Sequence, residues 1–415
     1  MLKILSLAAR NLRRYVRRTV LTTLLITLSV IAVLLFMAVS GSFRNMMVAQ
    51  ITDSMLGNLQ IHRRGYVASI DNLPLNLNMT PNMVKKAEQA LDTTAGIAAY
   101  SPRVKFGAMF SNFTETTSIR VNGVDPAMEA HTSPLLAGRL LAGSVKDTLV
   151  APGKILIPEL LAKGMKVKVG DTVVLVATNK DGSVNGMPFV VQGVLEGVSG
   201  PGGRDGYVNI ADARKLLRMD KPEVSEIAVR LSDPRTLPRA LAHLREALGS
   251  LRNQQGKPVF EVHSWEKLSP FSNIAKMIEL LDIFIKVMLI AVVLISIMNV
   301  MIMAVYERIR EIGTIMAIGT QPGRILGLFV SEGFLLGLLG TVLGTAVSLA
   351  AIYALNVHTI SFSFGRQEHL MLQPSVALTD ILTVGAMVLV IAVLASLQPA
   401  WKASRMDPIT ALRHL

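Results

Sequence analysis

The sequence predicts an α-helical integral membrane protein with four transmembrane helices and a large α+β extracytoplasmic domain between the first and second. Three observations carry this. Of the 415 residues, 51% are hydrophobic and only 17% charged, with a mean hydropathy of +0.47, too apolar for an ordinary soluble chain. Four apolar runs reach the roughly 20 residues that a helix needs to cross a hydrocarbon core of about 30 Å. The Lys and Arg residues that flank these runs fit one consistent orientation for all four.

Residues 1–19 read as a basic cytoplasmic tail, with Lys3, Arg10, Arg13, Arg14, Arg17 and Arg18 and no acidic residue. Residues 20–40 are the first transmembrane helix. A cleaved signal peptide is the alternative reading, with Ala38 and Ser40 as a loose cleavage site, but the apolar run exceeds the h-region length of about 7–15 residues. Residues 41–270 form the α+β domain, 271–305 a stalk and the second transmembrane helix, and 306–324 a short charged cytoplasmic helix. The third transmembrane helix covers 325–355, a short outer loop 356–375, the fourth helix 376–398 and a cytoplasmic tail 399–415. Arg308, Arg310 and Arg324 in the second connection, with Lys402, Arg405 and Arg413 in the last tail, place both termini in the cytoplasm.

Within the α+β domain, Leu59–Arg63, Ser118–Val124, Thr172–Ala177, Phe189–Leu195 and Glu226–Leu231 have the β-branched content and partial alternation of half-buried strands. A helix begins at Thr80-Pro81, an N-cap followed by a proline at the first helical position, and buries Met83, Val84, Ala87 and Leu91. A second, over about 235–251, aligns Leu237, Leu241, Leu244, Leu248 and Leu251, a stripe expected to pack on a sheet rather than in a coiled-coil seam. The Gly-rich stretch 196–206 reads as a mobile hairpin tip. It lacks the Lys-Ser/Thr that a phosphate loop requires.

The chain contains no cysteine, so disulfides, thiol chemistry and cysteine acylation of the chain itself are excluded. There is no Walker A pattern, no HExxH and no GxSxG, and the seven histidines are scattered from His62 to His414, so neither a catalytic site nor a metal site is expected. The net charge of +13 sits largely in the N-terminal tail and the other cytoplasmic flanks. Anionic membrane lipids, not nucleic acid, are the expected counterpart.

The segment Met303–Gly319, MAVYERIREIGTIMAIG, lies between two apolar runs and combines Glu307, Arg308, Arg310 and Glu311 within one and a half helical turns. Its charged face would turn to the cytoplasm, while Ile309, Ile312, Ile315 and Met316 form an apolar face able to dock into a partner groove or lie on the membrane. In the third run Gly333, Gly337, Gly340 and Gly344 fall on one helix face, where small residues allow close approach to span one or to a partner permease. Glu332 in the same run is expected at the cytoplasmic interface near Arg324, because an unpaired acid at membrane depth is costly. Asp380 is expected at the outer interface. Residues 264–286 read as an amphipathic helix continuing into the membrane, a stiff stalk. Met37, Met46 and Met47, near the outer end of span one, are candidate contacts for an acyl chain, with hydrophobic packing as their default role.

The run Tyr306–Gly344 resembles the loop and third span of the FtsX-like, MacB-type (type VII) ABC transporter permeases, and Pro399–His414 is similar to their closing segment. Val121–Pro126, Gly138–Leu141, Ile155–Leu175 and Phe189–Gly197 match the same pattern in the outer domain. The stalk and the run Leu56–Tyr66 look more like the lipoprotein-releasing LolC/LolE permease family than antibiotic exporters. The resemblance implies a bacterial inner-membrane permease with a periplasmic outer domain, driven by a cytoplasmic ABC ATPase dimer and paired with a second permease copy or paralogue. Glu307, Arg308, Arg310, Glu311, Ile312 and Met316 would then be the ATPase-coupling residues. No cofactor is expected on this chain, ATP and Mg acting through the partner ATPase. Three roles follow: mechanical extraction of lipoproteins or similar lipophilic cargo from the outer leaflet, tripartite efflux with a periplasmic adaptor, or regulation of envelope enzymes without cargo. The size of the outer domain argues against the third. No equivalent of a chaperone-recruiting hook loop is visible.

Overall fold

The computed structural model describes residues 2–197, 204–253, 255–358, 360–364 and 367–407. The chain divides into two compact units, one built from the long helices and one containing Asn45–Ala275.

Among the described residues, four helices are long and apolar enough to cross a bilayer. Span 1 is Val16–Ile51, continued by a single π turn over Thr52–Leu56; span 2 is Ser272–Glu307, span 3 Pro322–Val357 and span 4 Leu378–Ser404. The first three contain 36 residues each, about 54 Å of helix, so they outrun the apolar stretches from which they were predicted. Hydropathy marks only the part that must sit in hydrocarbon. The polar flanks, such as Arg17 and Arg18 in span 1, continue the helix because Arg is a good helix former. Ile26, Val30 and Leu34, Val293, Ile297 and Met301, Phe329 and Leu336, and Val388 and Ile391 meet in one core, while Leu21, Leu28, Phe284, Leu343 and Leu382 point outward as lipid-facing residues do. The basic tail is itself a helix, Leu2–Arg14, broken from span 1 at Tyr15. The short loop 356–375 contains two strands, Ile360–Phe364 and Gln367–Leu372, which form a separate small sheet.

The stalk differs from the continuous helix expected over 264–286. A single turn, Trp265–Leu268, ends at Ser269 in extended conformation, and span 2 starts afresh at Ser272. Pro270 is the reason, since its ring disfavours helical backbone at the preceding residue. Trp265 is buried against Ile51, Met55 and Leu56 at the end of span 1.

The second unit carries strands β1 (Leu59–Arg63), β2 (Ile97–Ser111), β3 (Thr116–Val124), β4 (Leu140–Gly143), β5 (Lys154–Pro158), β6 (Thr172–Thr178), β7 (Val184–Leu195), β8 (Gly206–Asn209), β9 (Glu226–Leu231) and β10 (Phe260–Ser264). They form one sheet in the order β10-β1-β9-β2-β3-β8-β5-β7-β4, and β6 joins β2 to β7. The pairing therefore closes a ring, β2-β3-β8-β5-β7-β6, with β3/β8 and β5/β7 parallel and its other pairs antiparallel. Alternation places Val173, Leu175 and Ala177 of β6 in the core with Phe106, Phe110 and Phe189. Helices Pro81–Asp92 and Leu237–Gly249 pack on this core through Ala87 and Leu91 and through Leu244 and Leu248. Leu237, Leu241 and Leu251 of the leucine stripe are half-buried against it, which is the sheet-packing role. Thr80 begins its helix through Pro81 at N1 but makes no side-chain cap. Gly57, at φ +73°, turns the chain from span 1 into β1, and a Cβ there would sit 2.7 Å from the Val229 carbonyl oxygen. Residues 198–203 of the Gly-rich stretch lie outside the described residues.

Candidate functional site

Two helix breaks meet in the long-helix unit. Span 2 ends at Glu307, and Arg308, at φ −115° and ψ 15°, separates it from the short helix Ile309–Ala317. Tyr15 separates the N-terminal helix from span 1. The Arg308 guanidinium lies over the Tyr15 ring at 5.1 Å, with Arg18 at 5.3 Å and Arg14 at 5.8 Å from the same ring. Arg308 Nη1 donates to Glu332 Oε1 at 3.0 Å, and its Nε donates to Glu311 Oε2 at 3.3 Å. Asn11 Nδ2 donates to the same Glu332 oxygen at 2.6 Å. Arg14 pairs with Glu311 at 3.4 Å, and Arg18 donates to Glu307 at 3.2 Å.

This geometry corrects two expectations. Glu332 is fully buried, and its partners are Arg308 and Asn11, whereas Arg324 is exposed. A carboxylate at that depth needs a guanidinium within hydrogen-bond reach, and the helix break supplies one. Arg308, expected on the exposed charged face, is only 6% exposed. Burial would lower its pKa, but Glu332 and then Glu311 more than offset this and raise it, so the guanidinium stays charged.

The short helix also turns its apolar residues differently from the expected docking face. Ile309 and Ile312 are buried in the helix's own bundle and Met316 is half-buried against it. The exposed face carries Arg310, Glu311, Thr314, Ile315, Ala317 and Ile318, the last 81% exposed. Glu307 is likewise exposed. Asn11, Arg14, Tyr15 and Arg18 were missed as site residues because the tail was read only as a positive flank. An aromatic ring with arginines one residue before and three after it was the available signal.

The four glycines pack against two different neighbours. A Cβ on Gly333 would lie 2.7 Å from Ser396 Cβ, and one on Gly337 2.7 Å from Ala392 Cβ, both in span 4. On Gly340 it would lie 2.5 Å from Ile26 Cγ2, and on Gly344 2.7 Å from Val30 Cβ, both in span 1. Thr27 Oγ1 donates to the Gly340 carbonyl at 3.3 Å, a bond that the close approach permits. Asp380 lies in the first turn of span 4. Met37 packs on the core of the long-helix unit, Met47 is buried and Met46 half-buried, so none of the three is an open apolar surface.

The α+β unit holds a buried ionic cluster of its own. Arg103 forks onto Glu129 at 2.9 and 2.6 Å and also donates to Glu226 at 3.2 Å, to the Met55 carbonyl at 2.6 Å and to Ser133 at 3.0 Å. Lys105 lies 3.1 Å from the second oxygen of Glu226. Burial would raise the Glu226 pKa, but Lys105, His62 and Arg103 together hold it far below the usual carboxylate range. No group of three or more potential metal ligands occurs among the described residues.

Comparison with known proteins fits this architecture. Residues 19–247 match the MacB-like periplasmic core domain, and residues 283–408 match the FtsX-like permease C-terminal domain. The chain is 24% identical over 414 residues to the lipoprotein-releasing system transmembrane protein LolC of Neisseria meningitidis, covering 94% of this chain and 92% of that one. It is 27% identical over 423 residues to the macrolide export ATP-binding/permease protein MacB of Rhodospirillum rubrum, covering 98% of this chain and 60% of that protein. The periplasmic region of MacB from Actinobacillus actinomycetemcomitans superposes with a TM-score of 0.35 at 17% identity, over 51% of this chain and 89% of that one. The long helices and these relatives make the protein a multi-pass inner-membrane permease of an ABC transporter system, and its chain belongs to the FtsX-like, MacB-type permease family.

Proposed function

We propose that the protein is the permease half of an ATP-driven mechanotransmitting transporter that extracts lipoproteins or similar lipophilic cargo from the outer leaflet of the inner membrane. Both termini and the helix Ile309–Ala317 face the cytoplasm, where a separate ABC ATPase dimer docks on that helix, and a second permease copy or paralogue completes the assembly. The observation that carries the reading is the two-sided character of this helix. Arg308, Ile309 and Ile312 anchor it, while Arg310, Glu311, Ile315 and Ile318 stand exposed in a pattern suited to a partner groove. The match to LolC over nearly the full length of both chains supports lipoprotein release. A MacB-like efflux role with a periplasmic adaptor is the second reading, favoured by the match to the macrolide export protein.

Gentle extraction from the native membrane through a tag, followed by mass spectrometry of what remains bound, separates the two. An ATPase with acylated lipoproteins supports release; an ATPase with a periplasmic adaptor and an outer-membrane channel transfers the assignment to efflux. The double variant Glu307→Lys, Glu311→Lys should lose the ATPase while its α+β domain stays folded by limited proteolysis. Undiminished recovery of the ATPase would remove the basis for the coupling assignment.

A further inference from the structure

A helix that receives a load but is joined to the next element by a break transmits little, because the break absorbs the motion. Arg308 is such a break, with non-helical backbone between span 2 and the short helix. Yet its side chain is almost fully enclosed, held by Glu332 of span 3 at 3.0 Å, by Glu311 at 3.3 Å and against the face of Tyr15. Glu332 in turn accepts from Asn11 of the N-terminal helix at 2.6 Å. One carboxylate thus ties together the break, span 3 and the N-terminal helix. A low-dielectric setting makes each of these bonds strong, and costly to leave half made.

We propose that Arg308 and Glu332 are positioning residues for coupling: their ion pair, completed by Asn11 and Tyr15, locks the angle of the short helix so that force applied to it reaches span 3. This rests on the reading that the ATPase docks on the exposed face of Ile309–Ala317, but the junction lies behind that face and need not touch the partner. Docking and transmission are then separable.

The test uses the full complex with Arg308→Met, Glu332→Leu and the two combined. The chain has no cysteine, so a spin label on Thr320→Cys, attached to this subunit before the complex is assembled, is the only one present. Thr320 lies just past the short helix, outside the docking face, and its amide donates to the Ile315 carbonyl at 3.2 Å, so the label reports the helix's motion. Each single variant should keep the ATPase bound, release the label into faster motion and lower cargo transport per ATP by about tenfold. The double variant removes both charges together, so its thermal stability should return towards the parent, since an apolar pair can replace a buried ion pair. Transport per ATP should nevertheless remain low and the label mobile. A purely structural role predicts that transport recovers along with stability in the double variant, and that result overturns the proposal. So does loss of the ATPase from either single variant, which would make the junction part of docking. Ile318→Asp serves as the reference for the underlying reading. If it keeps the ATPase bound, docking on this face is wrong and the underlying reading fails; full transport per ATP in the single junction variants overturns the junction itself, whichever way Ile318→Asp reads.

Discussion

Replacing Gly337 by Ala sets one methyl group against another. The added Cβ would lie 2.7 Å from Ala392 Cβ, with Leu389 Cδ2 and the Val388 carbonyl oxygen next at 3.8 Å. Carbon atoms rest at about 3.5–4.0 Å, so a single contact is short by about 1 Å and spans 3 and 4 must part or twist. Overpacking of this kind costs about 1–3 kcal/mol, less about 1 kcal/mol returned by the better helix propensity of Ala. Ala392→Gly alone loses that propensity and one buried methyl, together about 2 kcal/mol. In the double variant the methyl has moved from one helix to the other, the clash is gone and the propensities cancel, so stability should return to within about 0.5 kcal/mol of the parent. Equilibrium unfolding in mixed micelles would measure all four corners of the cycle. The interaction energy should be at least about 2 kcal/mol in favour of the double variant. If the two single changes simply add, Gly337 does not meet Ala392 and the packing argument fails. Gly385→Ala is the control, since its Cβ would come no closer than 3.4 Å, to Thr341 Cγ2.

In the α+β unit, Arg103→Met should destabilise the protein by about 3–5 kcal/mol, because it strands Glu129 as a buried charge and leaves Glu226 with Lys105 as its close cation; unchanged resistance to proteolysis in the full-length protein would contradict this. Glu226 gives a pH signature. Its folded pKa is depressed below the unfolded value of 4.5, so its contribution is fully present above that pH and is lost as the pH falls below it. Thermal unfolding between about pH 3 and pH 7 should show this loss in the parent and a flatter profile in Glu226→Gln, and parallel profiles would refute the assignment.

The strands that the sequence revealed and the longest one that it hid differ in the signal they carry. β1, β6 and β9 follow the expected segments closely, since apolar residues recur at every second position along them, even though β1 also buries Gln60 and His62 and β9 buries Glu226. β2, the longest strand, was not foreseen, because Arg103 and Lys105 fall at buried positions where a pattern reader expects Val or Ile. Their partners Glu129 and Glu226 lie far away in sequence, so nothing local marks the charges as satisfied. The junction at Glu332 was obscured in the same way. A buried carboxylate can be recognised in one sequence only as a problem to be solved; Arg324, near in sequence, was the expected solution, and the fold brought Arg308 within reach instead.

The glycine stripe was legible as close packing, but not as packing against two helices. Positions 333, 337, 340 and 344 fall within an arc of about 60° on an α-helix, which suggests a single neighbour. The resolution lies along the axis. Seven residues separate the first glycine of each pair, about 10 Å of rise, enough for span 4 to cross the face at one level and span 1 at the next. A small side chain records how near a neighbour comes and says nothing of which neighbour it is. The two levels are therefore separable by substitution: the strain of Gly337→Ala should yield to Ala392→Gly in span 4, whereas that of Gly340→Ala, set against both Ile26 Cγ2 and Ile26 Cβ, should not respond to any change in span 4.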